Sequence, residues 1–329
     1  MVDSKHKWKA WVYLAPALVL LAVFTVYPLI KTFIICFLEG YDPMMADTTF
    51  EFGFGNFAKV INYVDFKICM KNTILLCVLT VPISCFLALL VAVFLNSIPK
   101  FSRLLQTIYF LPYVTNSIAI GMVFAMMFNI VGLRDANVND YKGSLQIYNV
   151  DANGDGKIAQ SWGIVNNLLQ ALGLQPVNWM QQGSSYTANM AVMVIYIVWN
   201  ALPFKILILL GGLQSVNKQY YDAAKIDGAS RGTVFWRITV PLLSPMIAYV
   251  VITGFIGGFK EYTSIVGVFG DSMGPVGDAG RLNTMVGFIY EALNDTKYGT
   301  ASAAALILFG VILIVTLLNL YVSKKKTHY

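Results

Sequence analysis

The sequence predicts an all-α integral membrane protein with six transmembrane helices. Of its 329 residues, 57 % are hydrophobic and only 12 % are charged, and the mean hydropathy is +0.65. Soluble globular domains carry about 25 % charged residues because their surfaces must be solvated. The composition therefore excludes a soluble enzyme, and four cysteines in 329 residues exclude a small scaffold stapled by disulfides.

Six apolar segments are long enough to span a bilayer. A membrane helix needs about 20 mostly apolar residues, because each residue rises about 1.5 Å and lipid cannot satisfy unpaired peptide groups. Five runs lack Asp, Glu, Lys and Arg, and a sixth is interrupted only by Lys205. The spans predicted from these runs cover about 10–35, 72–97, 104–130, 188–213, 242–268 and 299–322. The first is too long for the apolar stretch of a secretory signal.

The basic residues predict that both termini lie in the cytoplasm. The segments on that side hold 12 of the 23 Lys and Arg residues but only 3 of the 17 Asp and Glu residues. Cytoplasmic loops of membrane proteins are enriched in Lys and Arg, and an even number of spans puts both ends on one side. Topology thus accounts for the net charge of +6, and we expect no nucleic-acid partner.

The longest outer segment contains a candidate calcium loop within an insertion at 134–160. Asp151, Asn153 and Asp155 stand at the first, third and fifth positions of such a loop, and Gly156 supplies the turn at the sixth. The twelfth position, where a bidentate Glu normally closes the coordination shell, is Trp162. Two interpretations stay open: a structural calcium site on the outer face, or a turn rich in Asp and Asn.

Enzyme motifs are incomplete. Residues 228–232 match the G-x-S-x-G pattern of serine hydrolases, but the chain has only His6 and His328, both in its tails, and neither can serve as the base. No phosphate-binding loop or dinucleotide fingerprint is present. We therefore expect a protein that is not an enzyme and binds no cofactor of its own.

The inner segment 214–241 predicts a helix–turn–helix protrusion. Asn217 can cap a first helix, Gly228 suits a left-handed ending, and Ser230 can cap a second helix that runs to Pro241. The small residues Ala223 and Ala224 would let another protein approach the backbone. The alternative is an amphipathic hairpin that lies on the lipid surface.

This protrusion resembles the "EAA" loop of the permease subunits of binding-protein-dependent ABC importers. Asp222-Ala223-Ala224, Gly228 and Ile238-Thr-Val240-Pro241 follow the spacing E-A-A, x3, G, x9, I-x-L-P, with Asp222 where Glu is usual. Tyr109-Phe-Leu-Pro112 and Pro241-Leu-Leu-Ser-Pro245 are similar to the oligosaccharide branch, of the maltose-transporter type. The resemblance implies that a coupling helix docks on a separate ATPase subunit through Asp222, Ala223, Ala224, Asp227, Gly228 and Ala229.

The resemblance also implies the partners and the mechanism. Two ATPase subunits, which bind ATP and Mg²⁺, would drive a pair of usually non-identical permease subunits by alternating access in a prokaryotic plasma membrane. An extracytoplasmic binding protein would deliver a sugar or oligosaccharide. Lys205 and Lys260 raise the narrower possibility of an acidic saccharide. An importer for another solute class, an ion-coupled carrier and a membrane-embedded enzyme or sensor are the alternatives.

Polar and aromatic side chains near the predicted midplane are candidates for the substrate pathway, because polar groups there are costly unless they serve packing or transport. The candidates are Asn116, Tyr196, Trp199, Asn200, Phe259, Lys260, Glu261 and Tyr262. The alternative is packing: Asn116 and Asn200 would form hydrogen-bonded pairs between helices, and Lys260 would pair with Glu261 or another internal group.

Overall fold

The computed structural model describes residues 7–43, 50–98, 107–108, 113, 115–128, 133–137, 147–148, 155–159, 163–181, 183–275 and 277–326. The chain divides into two compact units. The first unit comprises Met1–Lys67 and Gly287–Gly310, and the second unit comprises Ile68–Val286 and Val311–Tyr329.

The chain begins with a long apolar helix followed by a small ordered hairpin. Helix α1 (Lys7–Leu21) continues through one π-helical stretch (Ala22–Val26) into α2 (Tyr27–Ile35). Strands β1 (Leu38–Glu39) and β2 (Glu51–Phe52) pair antiparallel, and α3 (Gly55–Asn62) follows them.

Aromatic packing and a side-chain hydrogen bond order this hairpin. The Phe37 ring lies 5.4 Å from the rings of Phe52, Phe54 and Phe57. The Glu39 carboxylate accepts a hydrogen bond of 2.6 Å from the Gly55 amide at the start of α3, where the helix dipole favours negative charge. The segment after α2 is therefore a folded element and not a linker.

The remaining elements follow in chain order. They are α4 (Val64–Ser97), α5 (Ser117–Phe128), β3 (Leu133–Asn137), β4 (Ile147–Tyr148), β5 (Asp155–Ala159), α6 (Ile164–Ala171), α7 (Tyr186–Ser215), α8 (Lys218–Ile226), α9 (Arg231–Val234), a π-helical stretch (Phe235–Thr239), α10 (Val240–Leu242), α11 (Ser244–Phe259), α12 (Thr263–Phe269), α13 (Met285–Asn294) and α14 (Tyr298–Lys326). The fold is mostly helical, as predicted, but not purely so, because strands β3–β5 form an antiparallel sheet in the order β3-β5-β4.

Four helices in the described part of the chain are each long and apolar enough to cross a membrane. They cover Trp11–Ile35, Val64–Ser97, Tyr186–Ser215 and Tyr298–Lys324. A fifth candidate is the pair Arg231–Leu242 and Ser244–Phe259, which is bent by 69°. Of the predicted span 104–130, the structure describes α5 and a few further positions. The described helices thus provide four or five of the six predicted spans.

The predicted span 242–268 is not one helix. Helix α11 ends at Phe259, and α12 begins at Thr263. The amides of Lys260 and Glu261 bond the carbonyls of Gly257 and Gly258, so the last turn tightens from i→i−4 to i→i−3 before it stops. Two consecutive glycines, then Phe259 and two charged residues, weaken the helix at this point of the apolar run.

The core of the second unit lies where α5, α7 and α12 meet. Its buried side chains include Phe124, Met193, Tyr196, Ile265 and Leu282. Helices α5 and α12 approach closely enough that Gly121 and Gly267 face each other: a Cβ atom built on Gly121 would lie 2.6 Å from the carbonyl carbon of Gly267. This backbone contact fixes α12 and thereby the segment that follows α11.

Candidate functional site

The second unit contains a cavity of about 270 Å³ between helices α4, α7 and α11, with a mostly apolar wall that carries several polar side chains. Its volume is close to the lower end of small-molecule sites, which begin at about 300 Å³. Thr80, Val81, Ser84, Tyr113, Ile197, Asn200, Ala201, Phe204, Lys205, Thr253, Gly254, Gly257, Gly258 and Glu261 line it. Hydroxyl, amide, ammonium and carboxylate groups therefore face one space inside an otherwise apolar bundle.

Glycines on α11 determine the shape of this cavity. A Cβ atom at Gly254 would lie 3.1 Å from Val81 Cγ1, and one at Gly258 would lie 2.9 Å from Cys77 Sγ. Glycine at these two positions lets α11 approach α4. A Cβ at Gly257 would meet no described atom of a neighbouring element within 4 Å, so that residue faces open space. Gly254 and Gly258 thus contact α4 closely, whereas Gly257 forms part of the cavity wall.

Lys205 supplies the cationic group. Its side chain is 5 % exposed, and its Nζ donates a hydrogen bond to Ser84 Oγ. Ser84 in turn donates to the Thr80 carbonyl at 2.6 Å, which fixes the hydroxyl as the acceptor. A Cβ at Gly254 would lie 3.2 Å from Nζ, so the ammonium group occupies room that this glycine leaves. Helix packing thus holds the cation in place.

Glu261 supplies the anionic group from the break between α11 and α12. Its Oε1 accepts a hydrogen bond of 3.3 Å from the Ser264 amide in the first turn of α12. Its backbone carbonyl accepts a hydrogen bond of 2.8 Å from the Thr284 hydroxyl. The interruption that the sequence did not predict is what directs this carboxylate to the cavity.

The packing alternative, in which Lys260 pairs with Glu261 or another internal group, is not supported. The ion pairs found among the described residues are Arg281–Asp278 and Lys297–Asp295. The Lys260 side chain is exposed and does not line the cavity. Lys260 follows the last residue of α11, where the chain turns, so it and Glu261 lie in different surroundings despite their adjacency.

The packing alternative expected both asparagines to hydrogen-bond between helices: Asn200 does so, whereas Asn116 bonds at the start of its own helix. Asn116 caps α5, because its Oδ1 accepts a hydrogen bond of 2.9 Å from the Ile118 amide. Asn200 lines the cavity and donates to Ser117 Oγ at 3.2 Å. The sequence placed Asn116 in the middle of a span, but the described helix begins one residue later.

The predicted aromatic lining serves packing instead. Tyr196 is fully buried against Phe124, with ring centroids 5.0 Å apart, and Trp199 packs on the same ring at 5.0 Å. Phe259 is 4 % exposed, and Tyr262 packs against the core described above. Of the eight predicted pathway residues, Asn200 and Glu261 line the cavity, whereas Lys205 and Ser84 were missing from the predicted set.

The protrusion formed by residues 214–241 has the predicted caps. Asn217 Oδ1 accepts from the Gln219 amide at 3.0 Å at the start of α8, and Ser230 Oγ accepts from the Thr233 amide at 3.2 Å at the start of α9. Gly228 has a φ of +67°, the left-handed conformation that a side chain would strain. These three local predictions are confirmed, and they set a sharp turn between α8 and α9.

The residues expected to dock on an ATPase do not all face outward. Asp222, Ala223, Asp227 and Gly228 are exposed, and Ala229 is half-buried. Ala224 is only 6 % exposed and packs within the chain. The four exposed residues therefore form the accessible face, and Ala224 packs α8 against the rest of the chain.

The structure leaves the calcium prediction untested. Asp151 and Asn153 lie outside the described residues, and Asp155 is the first residue of β5. Among the positions that are described, no three His, Cys, Asp or Glu side chains group closely enough to hold a metal ion. The calcium site stays a prediction.

Comparisons with known proteins agree with this architecture. Residues 75–328 match the family model "Binding-protein-dependent transport system inner membrane component". The arabinooligosaccharides transport system permease protein AraP of Bacillus subtilis (strain 168) is 31 % identical, over 98 % of this chain and 91 % of that protein. The trehalose/maltose transport system permease protein MalF of Thermococcus litoralis is 28 % identical, over 98 % and 97 %.

A third relative and one solved structure complete the comparison. The lactose transport system permease protein LacF of Rhizobium radiobacter is 28 % identical, over 94 % of this chain and 91 % of that protein. The crystal structure of a bacterial ABC transporter involved in the import of the acidic polysaccharide alginate contains a chain that matches with a TM-score of 0.73. The two chains are 20 % identical over 98 % of each. At that identity the match establishes the fold.

Proposed function

We propose, because this chain belongs to the family of binding-protein-dependent transport system inner membrane components, that it is a permease subunit of an ATP-driven importer for a sugar or oligosaccharide. The observation that carries the substrate class is the near full-length similarity to permeases named for arabinooligosaccharides, lactose and trehalose/maltose. ATP hydrolysis is assigned to a partner subunit, since the sequence has no phosphate-binding loop.

The proposed assembly contains this chain, a second permease subunit, two ATPase subunits and an extracytoplasmic binding protein. In it the chain forms one permease domain with six spans in a prokaryotic plasma membrane, and both of its termini are cytoplasmic. The excess of Lys and Arg in the inner segments supports that orientation.

The exposed face of α8 is the proposed ATPase contact. Asp222, Ala223, Asp227 and Gly228 lie together at the tip of a protrusion held by two side-chain caps. Two of these residues have small or no side chains, so a groove on the partner can reach the backbone. A rigid tip of this kind transmits a push from the ATPase to the helices that continue from it.

The cavity between α4, α7 and α11 is the proposed saccharide site. Each sugar hydroxyl is both a donor and an acceptor, and the cavity offers both kinds of partner in Lys205, Asn200 and Glu261. A site inside the helical bundle suits alternating access, in which helices open first on one side and then on the other.

Substitutions at Ala223 test the docking assignment. With the full assembly purified through a tag on this chain, we expect Ala223→Arg to lose the ATPase subunits, because a long side chain would hold the partner's groove off α8. Ala223→Ser keeps a small side chain and should retain them. Thermal melting of both permease variants should match the wild type, since Ala223 is exposed.

Transport assays test the energy source. Proteoliposomes with the intact assembly and saccharide-loaded binding protein should accumulate sugar only with internal ATP. Accumulation driven by a proton or sodium gradient without nucleotide would refute the ATP-driven importer. Co-purification of ATPase subunits with Ala223→Arg at the wild-type level would refute the docking assignment.

A further inference from the structure

The saccharide cavity holds two opposite charges that do not neutralise each other directly. Lys205 and Glu261 both line it, and they are the charged groups of its described wall. The ion pairs within 4.0 Å among the described residues do not include them. Each is held by its own neutral partners: Ser84 and Cys85 bond the ammonium group, and Ser264 and the Tyr262 amide bond the carboxylate.

These two charges leave hydrogen-bonding capacity facing the cavity. An ammonium group has three N–H donors, and Lys205 forms hydrogen bonds with the side chains of Ser84 and Cys85, which leaves one donor. A carboxylate accepts about four hydrogen bonds, and the Glu261 carboxylate accepts three from protein groups, the amide and side chain of Ser264 and the amide of Tyr262, which leaves room for one more. A ligand that carries donors and acceptors together would satisfy both residues at once.

We propose that Lys205 and Glu261 form a charge-selectivity pair that admits an uncharged polyhydroxylated ring and rejects a uronate or an amino sugar. The inference rests on the proposed function. Neighbouring hydroxyls accept from Lys205 and donate to Glu261, so the total charge of the occupied cavity stays zero. Charge-assisted hydrogen bonds of this kind are roughly twice as strong as neutral ones.

A charged ring disturbs this balance. The carboxylate of a uronate can bond Lys205, but it adds one uncompensated negative charge to a mostly apolar site that already contains Glu261. Like charges in such surroundings repel strongly, because the low dielectric constant screens them little. The ammonium group of an amino sugar is repelled by Lys205 in the same way. The acidic saccharide that Lys205 and Lys260 suggested from the sequence is therefore disfavoured, since Lys260 does not line the cavity.

The test measures how tightly single sugar rings bind to the cavity. The extracytoplasmic binding protein is left out, because its own selectivity would mask that of the cavity. The purified permease–ATPase assembly is titrated, under saturation-transfer NMR detection, with two matched pairs of ligands. These are the methyl glycosides of glucose and galactose and the corresponding methyl glycosiduronates, which differ only at C6. Four proteins are compared: wild type, Glu261→Gln, Lys205→Met and the matched control Lys260→Met, whose side chain is exposed beside Glu261.

The proposal makes a different prediction for each protein. Wild type should bind the neutral glycosides at least about tenfold more tightly than the uronates. Glu261→Gln should shrink that ratio to below about threefold by admitting the uronates. Lys205→Met should weaken the neutral rings by about tenfold or more, the value expected when a hydrogen bond to a charged group is lost. Lys260→Met should behave as wild type.

Three results would overturn the inference. They are uronate binding by wild type at least as tight as neutral binding, an unchanged ratio in Glu261→Gln, and no binding of any ring by wild type. None of these results affects the measurement of ATP-dependent accumulation, which tests the proposed function separately. If Glu261→Gln fails to assemble, Glu261→Asp, which keeps the charge, should still exclude the uronates, and admission of them by that variant would overturn the inference.

Discussion

The contact of Gly121 with Gly267 allows a prediction of opposite sign at two glycines. In Gly121→Ala the new Cβ would lie 2.6 Å from the carbonyl carbon and 2.7 Å from the Cα of Gly267. Carbon atoms prefer separations of about 3.5–4.0 Å. Because both contacted atoms belong to the backbone, no rotamer change relieves them, and α5 and α12 must move apart by about 1 Å.

The cost of that movement can be compared with the gain from alanine. Overpacking a well-packed core typically costs about 1–3 kcal/mol. Alanine in a helix gains up to about 1 kcal/mol over glycine. We therefore expect Gly121→Ala to destabilise the chain by about 1–2 kcal/mol, which corresponds to a factor of about 5–30 in the folding equilibrium.

Gly211→Ala is the matched control. Gly211 lies within α7, and a Cβ there would meet no described atom of another element within 4 Å. This variant should be neutral or more stable by up to about 1 kcal/mol. The assay is thermal unfolding of the purified chain in one detergent, read by the loss of the monodisperse peak in size-exclusion chromatography. The reasoning is refuted if Gly121→Ala melts at or above the wild-type temperature, or if both variants shift equally.

Two further predictions concern buried asparagines. Asn72 donates to the carbonyls of Arg281 and Asn283 at 3.0 and 2.8 Å and accepts from the Tyr186 hydroxyl at 2.7 Å. Asn72→Ala should therefore lower the unfolding free energy by about 3 kcal/mol, and Tyr186→Phe, which loses one of these bonds, by about 1 kcal/mol. Equal losses of unfolding free energy in a denaturant titration would contradict this. Asn166 accepts from Trp179 Nε1 at 2.9 Å and holds the segment after α6, so Asn166→Ala should speed amide exchange there by at least about tenfold, whereas exposed Gln170→Ala should not.

The local elements of the protrusion formed by residues 214–241 were predictable from sequence. The caps Asn217 and Ser230 and the turn at Gly228 depend on hydrogen bonds and dihedral angles within four residues. Their sequence signals therefore need no knowledge of the rest of the chain. The burial of Ala224 was not predictable in the same way, because it depends on which face of α8 packs against the protein.

The candidate site was predicted only in part, since counting along a helix gives depth but not direction. Trp199 and Asn200 are neighbours on α7 and point in different directions: Asn200 lines the cavity, and Trp199 packs on Phe124. The partner of Lys205 is Ser84, 121 residues away, and no local pattern marks that pair. Glu261 reaches the cavity only because α11 stops before it.

The amino-acid sequence by itself determined that the chain belongs in a membrane and where its protruding turn is built. Apolar run length, charge asymmetry and capping are properties of short stretches, so they hold whatever the stretches pack against. Only the tertiary structure decided which polar groups share a space. Glycine contacts between helices distant in sequence set the rotation and spacing of each helix, and these decide which side chains meet in the cavity.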